Sequence, residues 1–118
     1  MKNAIAPLAI AALATLPALA AAQGLGGLLR DTGLKTEDYD MMRAAAAELY
    51  TAESPAVGDE TIWKNTETGS FGTVEITALD DTCANVRHLA RAGNSRTTVP
   101  FEARWCKGAD GTWTREQQ

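Results

Sequence analysis

Two thiols, one imidazole and a pair of adjacent carboxylates are the groups in this 118-residue chain with the most obvious capacity for chemistry. His88 is the sole histidine. An imidazole is the natural general base near neutral pH, but it needs a nucleophile and an orienting acid beside it. The sequence contains neither a Gly-x-Ser-x-Gly elbow nor a His-Glu-x-x-His zinc helix. His88 is therefore read as an exposed or hydrogen-bonded structural residue, and no catalytic residue is assigned. Asp80-Asp81 could ligate calcium, but a calcium loop needs several oxygen ligands at set spacing and a distal glutamate. That pattern is missing, so the pair reads as a turn. Two cysteines and one histidine cannot complete a four-ligand zinc site on their own, and no metal or other cofactor is expected.

Cys83 and Cys106 are too far apart in sequence for a C-x-x-C redox pair. In an oxidising compartment an even pair forms a structural disulfide. Closing the intervening loop stabilises a fold by ~3 kcal/mol in the chain-entropy model. Trp63, Trp105 and Trp113 could stack on a sugar or a base. In a small β domain such residues more often fill the core, and Trp105, on the face shared with Val99 and Phe101, is the clearest core position. The formal charge of −4 argues against nucleic-acid binding. Charge is uneven: residues 31–81 hold 12 acids and 3 bases, residues 82–118 hold 3 acids and 6 bases. The two halves should attract each other on folding, with the remaining charge solvated.

These groups must be positioned by a short set of elements. Residues 23–35, rich in glycine at Gly24, Gly26, Gly27 and Gly33, read as a flexible lead-in. Thr36 is a candidate helix cap, and Glu37 and Asp38 follow in a first turn that favours negative charge. Tyr39, Met42, Ala46, Leu49 and Tyr50 then recur at helical spacing and mark the packing face rather than a ligand groove, with Asp38, Met41, Ala45 and Glu48 turned elsewhere. Pro55 should end the helix near Ala52. Beyond Gly58 the texture is β. Strands are expected over 61–64, 71–79, 83–90, 97–105 and 112–115. In the second, Val74, Ile76 and Ala78 share a face opposite Thr73, Glu75 and Thr77. Pro100 lacks an amide donor and points to an edge or a bulge. The fold class is α+β: one N-terminal helix, then a small antiparallel meander of four to five strands carrying one disulfide.

The first 22 residues have the order of a signal peptide: Lys2, an apolar run over 4–16, Pro17 and small residues. Cleavage after Ala20 or after Ala22 satisfies the small-x-small rule, with Ala22 preferred. The expectation is an exported chain, periplasmic or beyond, with no transmembrane segment in the mature part. No cysteine lies beside the cleavage point, so no lipid anchor is expected.

Two segments carry a resemblance. Trp63 to Val74 reads W-x-N-x-x-T-G-x-x-G-x-V, with Trp63, Asn65, Gly69 and Gly72 at its fixed positions. Cys106 to Trp113 reads C-K-x-x-D-G-x-W, with Asp110, Gly111 and Trp113. With Cys83 upstream, the chain over about residues 36–115 resembles the C-terminal domain of the 17-kDa surface antigen family of Gram-negative bacteria. It departs from that family in lacking the lipoprotein cysteine and the long glycine zipper, and in following Cys83 with Ala84-Asn85-Val86 rather than arginine and an aromatic. Asn65 and Gly69 suit a turn, Gly69 and Gly72 permit positive φ or close backbone approach, and Asp110-Gly111 suits a hairpin, so the motif residues read as scaffold. The resemblance implies a non-enzymatic envelope protein that binds or supports an unidentified envelope protein or polymer. The competing expectation is a periplasmic or secreted inhibitor of a hydrolase such as lysozyme, anchored by an exposed Asp80-Asp81 loop.

Overall fold

The computed structural model describes residues 32–116. The leader and most of the lead-in lie outside the described residues. Helix α1 spans Thr36–Tyr50 and is followed by strands β1 (Glu60–Lys64), β2 (Phe71–Leu79), β3 (Cys83–Arg91), β4 (Val99–Lys107) and β5 (Trp113–Glu116). The strands form one antiparallel meander in the order β1-β2-β3-β4-β5. The α+β reading holds, with five strands and one disulfide.

The helix packs on the face of the sheet that carries Trp63, Val74, Ile76, Val86 and Ala103, all buried. Its contributions are Met42, Ala45, Ala46 and Tyr50, together with the carboxylate of Asp38. This corrects the expected stripe. Asp38 and Ala45 face inward, while Tyr39 and Leu49 are only half-buried. The start of the helix differs too. Lys35, in extended conformation, holds the N-cap position, and Thr36 is the first helical residue and exposed. The cap comes from inside the helix: the Lys35 amide donates to Asp38 Oδ2 at 2.9 Å. A carboxylate in the first turn does this as well as a threonine before it, because both satisfy an orphan amide near the positive end of the dipole.

Sheet register explains a second correction. Ile76 pairs with Val86 and Ala78 with Asn85, leaving Thr77 as the extra residue of a β-bulge. The bulge reverses the alternation, so Ala78 is exposed and Leu79, opposite Ala84, returns to the inner face. Pro100 lies in β4 and not in the bulge. The Lys107 amide donates to the Thr82 carbonyl at 2.7 Å, so in β4 the residues of Lys107's parity bond towards β3. Pro100, of opposite parity, turns its missing donor away from β3, and β5 pairs only with Arg104–Lys107. Proline thus stands on a locally unpaired edge, where no amide is needed.

Cys83 and Cys106 are direct cross-strand partners, with Cα atoms 4.0 Å apart, and are joined by the disulfide. Among the tryptophans Trp63 is the most deeply buried. Trp105 and Trp113, towards the far edge, are half-buried, because α1 packs mainly across β1, β2 and β3 and meets the far strands through the Tyr50 ring, which touches both indoles, and the Tyr39 hydroxyl, which accepts from Arg115.

Candidate functional site

The two motif segments lie at opposite ends of α1. At the N-terminal end, the β1–β2 turn closes on Asp38. Asn65 Nδ2 and Thr68 Oγ1 both donate to Asp38 Oδ1, at 2.8 and 2.6 Å, while Oδ2 takes the Lys35 amide. The Ser70 hydroxyl adds a further interaction with the carboxylate and accepts from the Gly93 amide at 3.1 Å. Asp38 has no exposed surface. Burial pushes its pKa up, but the combined hydrogen bonds from Thr68, the Lys35 amide, Ser70 and Asn65 outweigh that and hold it below the ordinary aspartate value. The turn itself is built by Asn65. Its carbonyl accepts from the Gly69 amide at 2.8 Å, its amide donates to the Ser70 carbonyl at 2.8 Å, and its Oδ1 accepts from the Glu67 amide at 3.0 Å.

The two motif glycines serve different needs. Gly69 has φ +80, the left-handed region open to glycine. Gly72 sits beneath the Trp63 indole, its cross-strand partner, and a Cβ there would overlap the indole and the Leu89 carbonyl. Trp63, Asn65, Gly69 and Gly72 therefore all serve one closed, hydrogen-bonded junction between helix and sheet.

At the C-terminal end of α1 the arrangement is open. A groove of about 460 Å³ is walled by Tyr50 and Pro55 on the helix side, by Asp80 and Asp81 from the β2–β3 turn, and by Lys107 and Trp113 from the β4–β5 hairpin. The Tyr50 and Trp113 ring centroids are 4.4 Å apart and those of Tyr50 and Trp105 are 5.9 Å apart, so three aromatic rings run from the core to the surface. The Lys107 ammonium lies 6.0 Å from the Trp113 ring. Gly111, at φ +87, and Asp110, whose carboxylate accepts from the Thr112 amide at 3.0 Å, shape the hairpin that presents Trp113. Asp80 is not a free anchor. Its Oδ1 accepts from the Thr82 and Cys83 amides at 2.9 and 2.8 Å, and these bonds, with Arg104 nearby, hold its pKa below the usual value. Arg104 lies 3.5 Å from Asp80, joining the basic half of the chain to the acidic one, and 3.2 Å from Glu116 within its own half. Asp81 is exposed. A half-buried indole edged by an ammonium and a carboxylate can stack on an apolar face while bonding hydroxyls or charges at its rim.

The remaining chemistry-bearing residues do not join either site. His88 is 4 % exposed and stacks on Phe101, with centroids 4.8 Å apart and 17° between planes. Its Nδ1 is buried without a hydrogen-bond partner among the described residues. Burial, reinforced by the Arg115 cation, pushes its pKa down to about 4. Arg115 itself donates to the Tyr39 hydroxyl at 2.9 Å. Cys83, Cys106 and Glu116 bring three potential ligand atoms within 4.8 Å, but both sulfurs are bonded to each other, which leaves one carboxylate. Of the residues that make the two ends, Thr68 stands at the fixed threonine of the first motif, whereas Asp38, Ser70 and Gly93 carry no local signal of their role. Asp38 meets its partners across 27 and 30 residues.

A scan against protein-family models and searches of curated proteins and of solved structures return no match to this chain.

Proposed function

We propose that this chain is an exported, non-enzymatic cell-envelope domain of the surface-antigen type, and that it holds an envelope protein or polymer at the groove beside Trp113. The observation that carries this reading is the division of labour between the two motif segments. The Trp63–Val74 segment is spent on the sealed junction around Asp38, whereas the Cys106–Trp113 segment presents Lys107 and Trp113 at an open groove. The disulfide suits an oxidising compartment, and no helix of the described residues is long and apolar enough to cross a membrane. His88, buried and stacked on Phe101, is poorly placed to take a proton from a substrate. Function then rests on surface complementarity and not on bond making.

Binding to isolated cell-wall polymer and to outer-membrane fragments, followed by co-sedimentation of the oxidised protein, tests the reading. Retention by one of them, lowered at least about tenfold by Trp113→Ala, is expected for a stacking anchor. Equal retention of the variant removes the groove from the argument. The exposed Asp81 beside the groove favours one second reading, an inhibitor that inserts this turn into a hydrolase. Stoichiometric inhibition of lysozyme, lost in Asp81→Ala, would replace the envelope-binding reading with that one.

A further inference from the structure

The face of the sheet opposite α1 carries no other element among the described residues, and its side chains are sorted into rows. Register places Lys64, Phe71 and Arg91 side by side across β1, β2 and β3. The next row is Ile62, Thr73, Leu89 and Pro100. The third is Glu60, Glu75, Arg87 and Glu102. An uncharged, largely apolar row is thus flanked by a basic row on one side and a predominantly acidic row on the other. Ile62 is 73 % exposed and Phe71 45 % exposed, which makes them two of the three large hydrophobic side chains most open to solvent among the described residues. Arg91 covers the Phe71 ring from 5.9 Å, keeping its charge at the rim of the apolar surface.

We propose that this face is the interface of a homodimer in which two copies pack sheet to sheet about a twofold axis lying along the Ile62–Pro100 row. The order of the rows selects that axis. It returns the apolar row to itself and exchanges the two flanking rows, which lie ~7 Å to either side at two residues of strand rise. Each strand then faces its own counterpart. Lys64 meets Glu60 of the second copy, and Glu60 meets its Lys64. Arg91 meets Arg87 of the second copy, which stands between the carboxylates of Glu75 and Glu102, so on β3 the attraction comes from those two neighbours and not from the residue directly opposite. An axis parallel to the strands would instead set each row on itself, acid on acid and base on base. Row against row, the charges are of opposite sign about this axis and of like sign about the strand-parallel one, so this axis is the one that suits an isologous contact, and facing sheets pack aligned in this manner. No acidic or basic ligand alone matches both flanking rows. A second copy matches both.

The patch covers four strands ~4.8 Å apart and five residues of strand, smaller than the ~800 Å² per partner of a standard interface. The dimer is accordingly weak, and its association shows best at high concentration. Sedimentation of the purified full chain from about 10 to 500 µM reads it directly. Concentration-dependent dimerisation is expected. Lys64→Glu and Glu60→Lys should each weaken it by about tenfold or more, since each change affects two symmetric contacts. The combined Lys64→Glu/Glu60→Lys chain should return to within about threefold of the parent, a recovery that only a direct Lys64–Glu60 contact between copies provides. Far-UV circular dichroism of each variant verifies the fold. A chain that stays monomeric throughout overturns the proposal, as does a dimer indifferent to either single change or not restored by the pair. A monomer that instead sediments with anionic vesicles also overturns it, and assigns the face to a membrane surface.

Discussion

The two ends of α1 are built from segments of similar make-up, each with a tryptophan, glycines and polar residues, yet one is sealed and the other open. At the N-terminal end the polar side chains of Asn65 and Thr68 find a single acceptor, Asp38, inside the domain. A carboxylate can accept several donors at once, and burial strengthens each bond. The turn is drawn onto the helix and the carboxylate is left with no exposed surface. At the C-terminal end Asp80 and Asp110 spend their bonds on amides of their own turns. The turns are stiffened, but nothing pulls them onto the helix, and the aromatic rings of Tyr50 and Trp113 are left to form the groove wall. What separates the closed end from the open one here is the presence of one long-range acceptor, not composition.

Removing that acceptor should produce the largest effect. Asp38→Ala deprives Asn65, Thr68 and the Lys35 amide of a buried partner. Several orphaned donors at 1–3 kcal/mol each, partly relieved by water, give a loss of about 4 kcal/mol. For a domain of this size that is a fall in Tm of about 20 °C. Asp38→Asn, which keeps volume and some acceptor capacity, should cost less. If thermal denaturation finds both variants within a degree or two of the parent, the sealed end is not what holds the helix on the sheet.

Acid sharpens the contrast at the next level. His88 has a folded pKa of about 4 against an ordinary value of 6.5. Between those values the unfolded chain binds a proton that the folded chain refuses, so stability is full above pH 6.5 and falls as the pH drops towards 4. The limit is about 3 kcal/mol, from 1.36 kcal/mol per pH unit. Asp38 behaves differently. Its lowered pKa contributes stability above the ordinary aspartate value, and that contribution is lost only as the pH falls through the lower folded value. Chemical denaturation as a function of pH should therefore show two successive losses, and His88→Leu should erase the one between pH 6.5 and 4 alone. Retention of the slope in that variant would assign it to other groups.

The sequence reveals the layout of the domain more readily than it reveals either end of the helix. Strand and helix positions follow from alternation and spacing that neighbouring residues carry. The disulfide follows from two cysteines placed at matching ends of adjacent strands. Asp38 reads locally as a first-turn acid suited to the dipole, and only its partners 27 and 30 residues away make it a buried node. Ala78 fails for a similar reason. Its alternation is regular in sequence, and the bulge at Thr77 that reverses it is set by pairing with β3. Trp105 satisfies every local sign of a core residue. How deeply it is buried depends on where the helix ends, and the helix stops with Tyr50 at its edge. The groove is assembled from three separate turns and termini, and only its Lys107–Trp113 edge lies within a contiguous motif.

The smallest expected effect on stability is at the groove, and it is the one that best separates the two ends. Trp113 is half-buried and rests on Tyr50 at the margin of the core. Truncating it to alanine removes aromatic contact and part of its buried area, for a loss of about 1–2 kcal/mol. The amides that close the other end, those of Gly69 and Asn65, bond to carbonyls of their own turn and should keep their protection from hydrogen exchange, reduced only by the small drop in global stability. Amides of the β4–β5 hairpin, such as Gly108 bonded to the Thr112 carbonyl at 2.8 Å, should exchange faster than that drop explains. A groove held by a few aromatic contacts can loosen without disturbing a junction held by a buried carboxylate, whereas equal acceleration at both ends would mean that the helix transmits the loss and that the two ends are one cooperative unit.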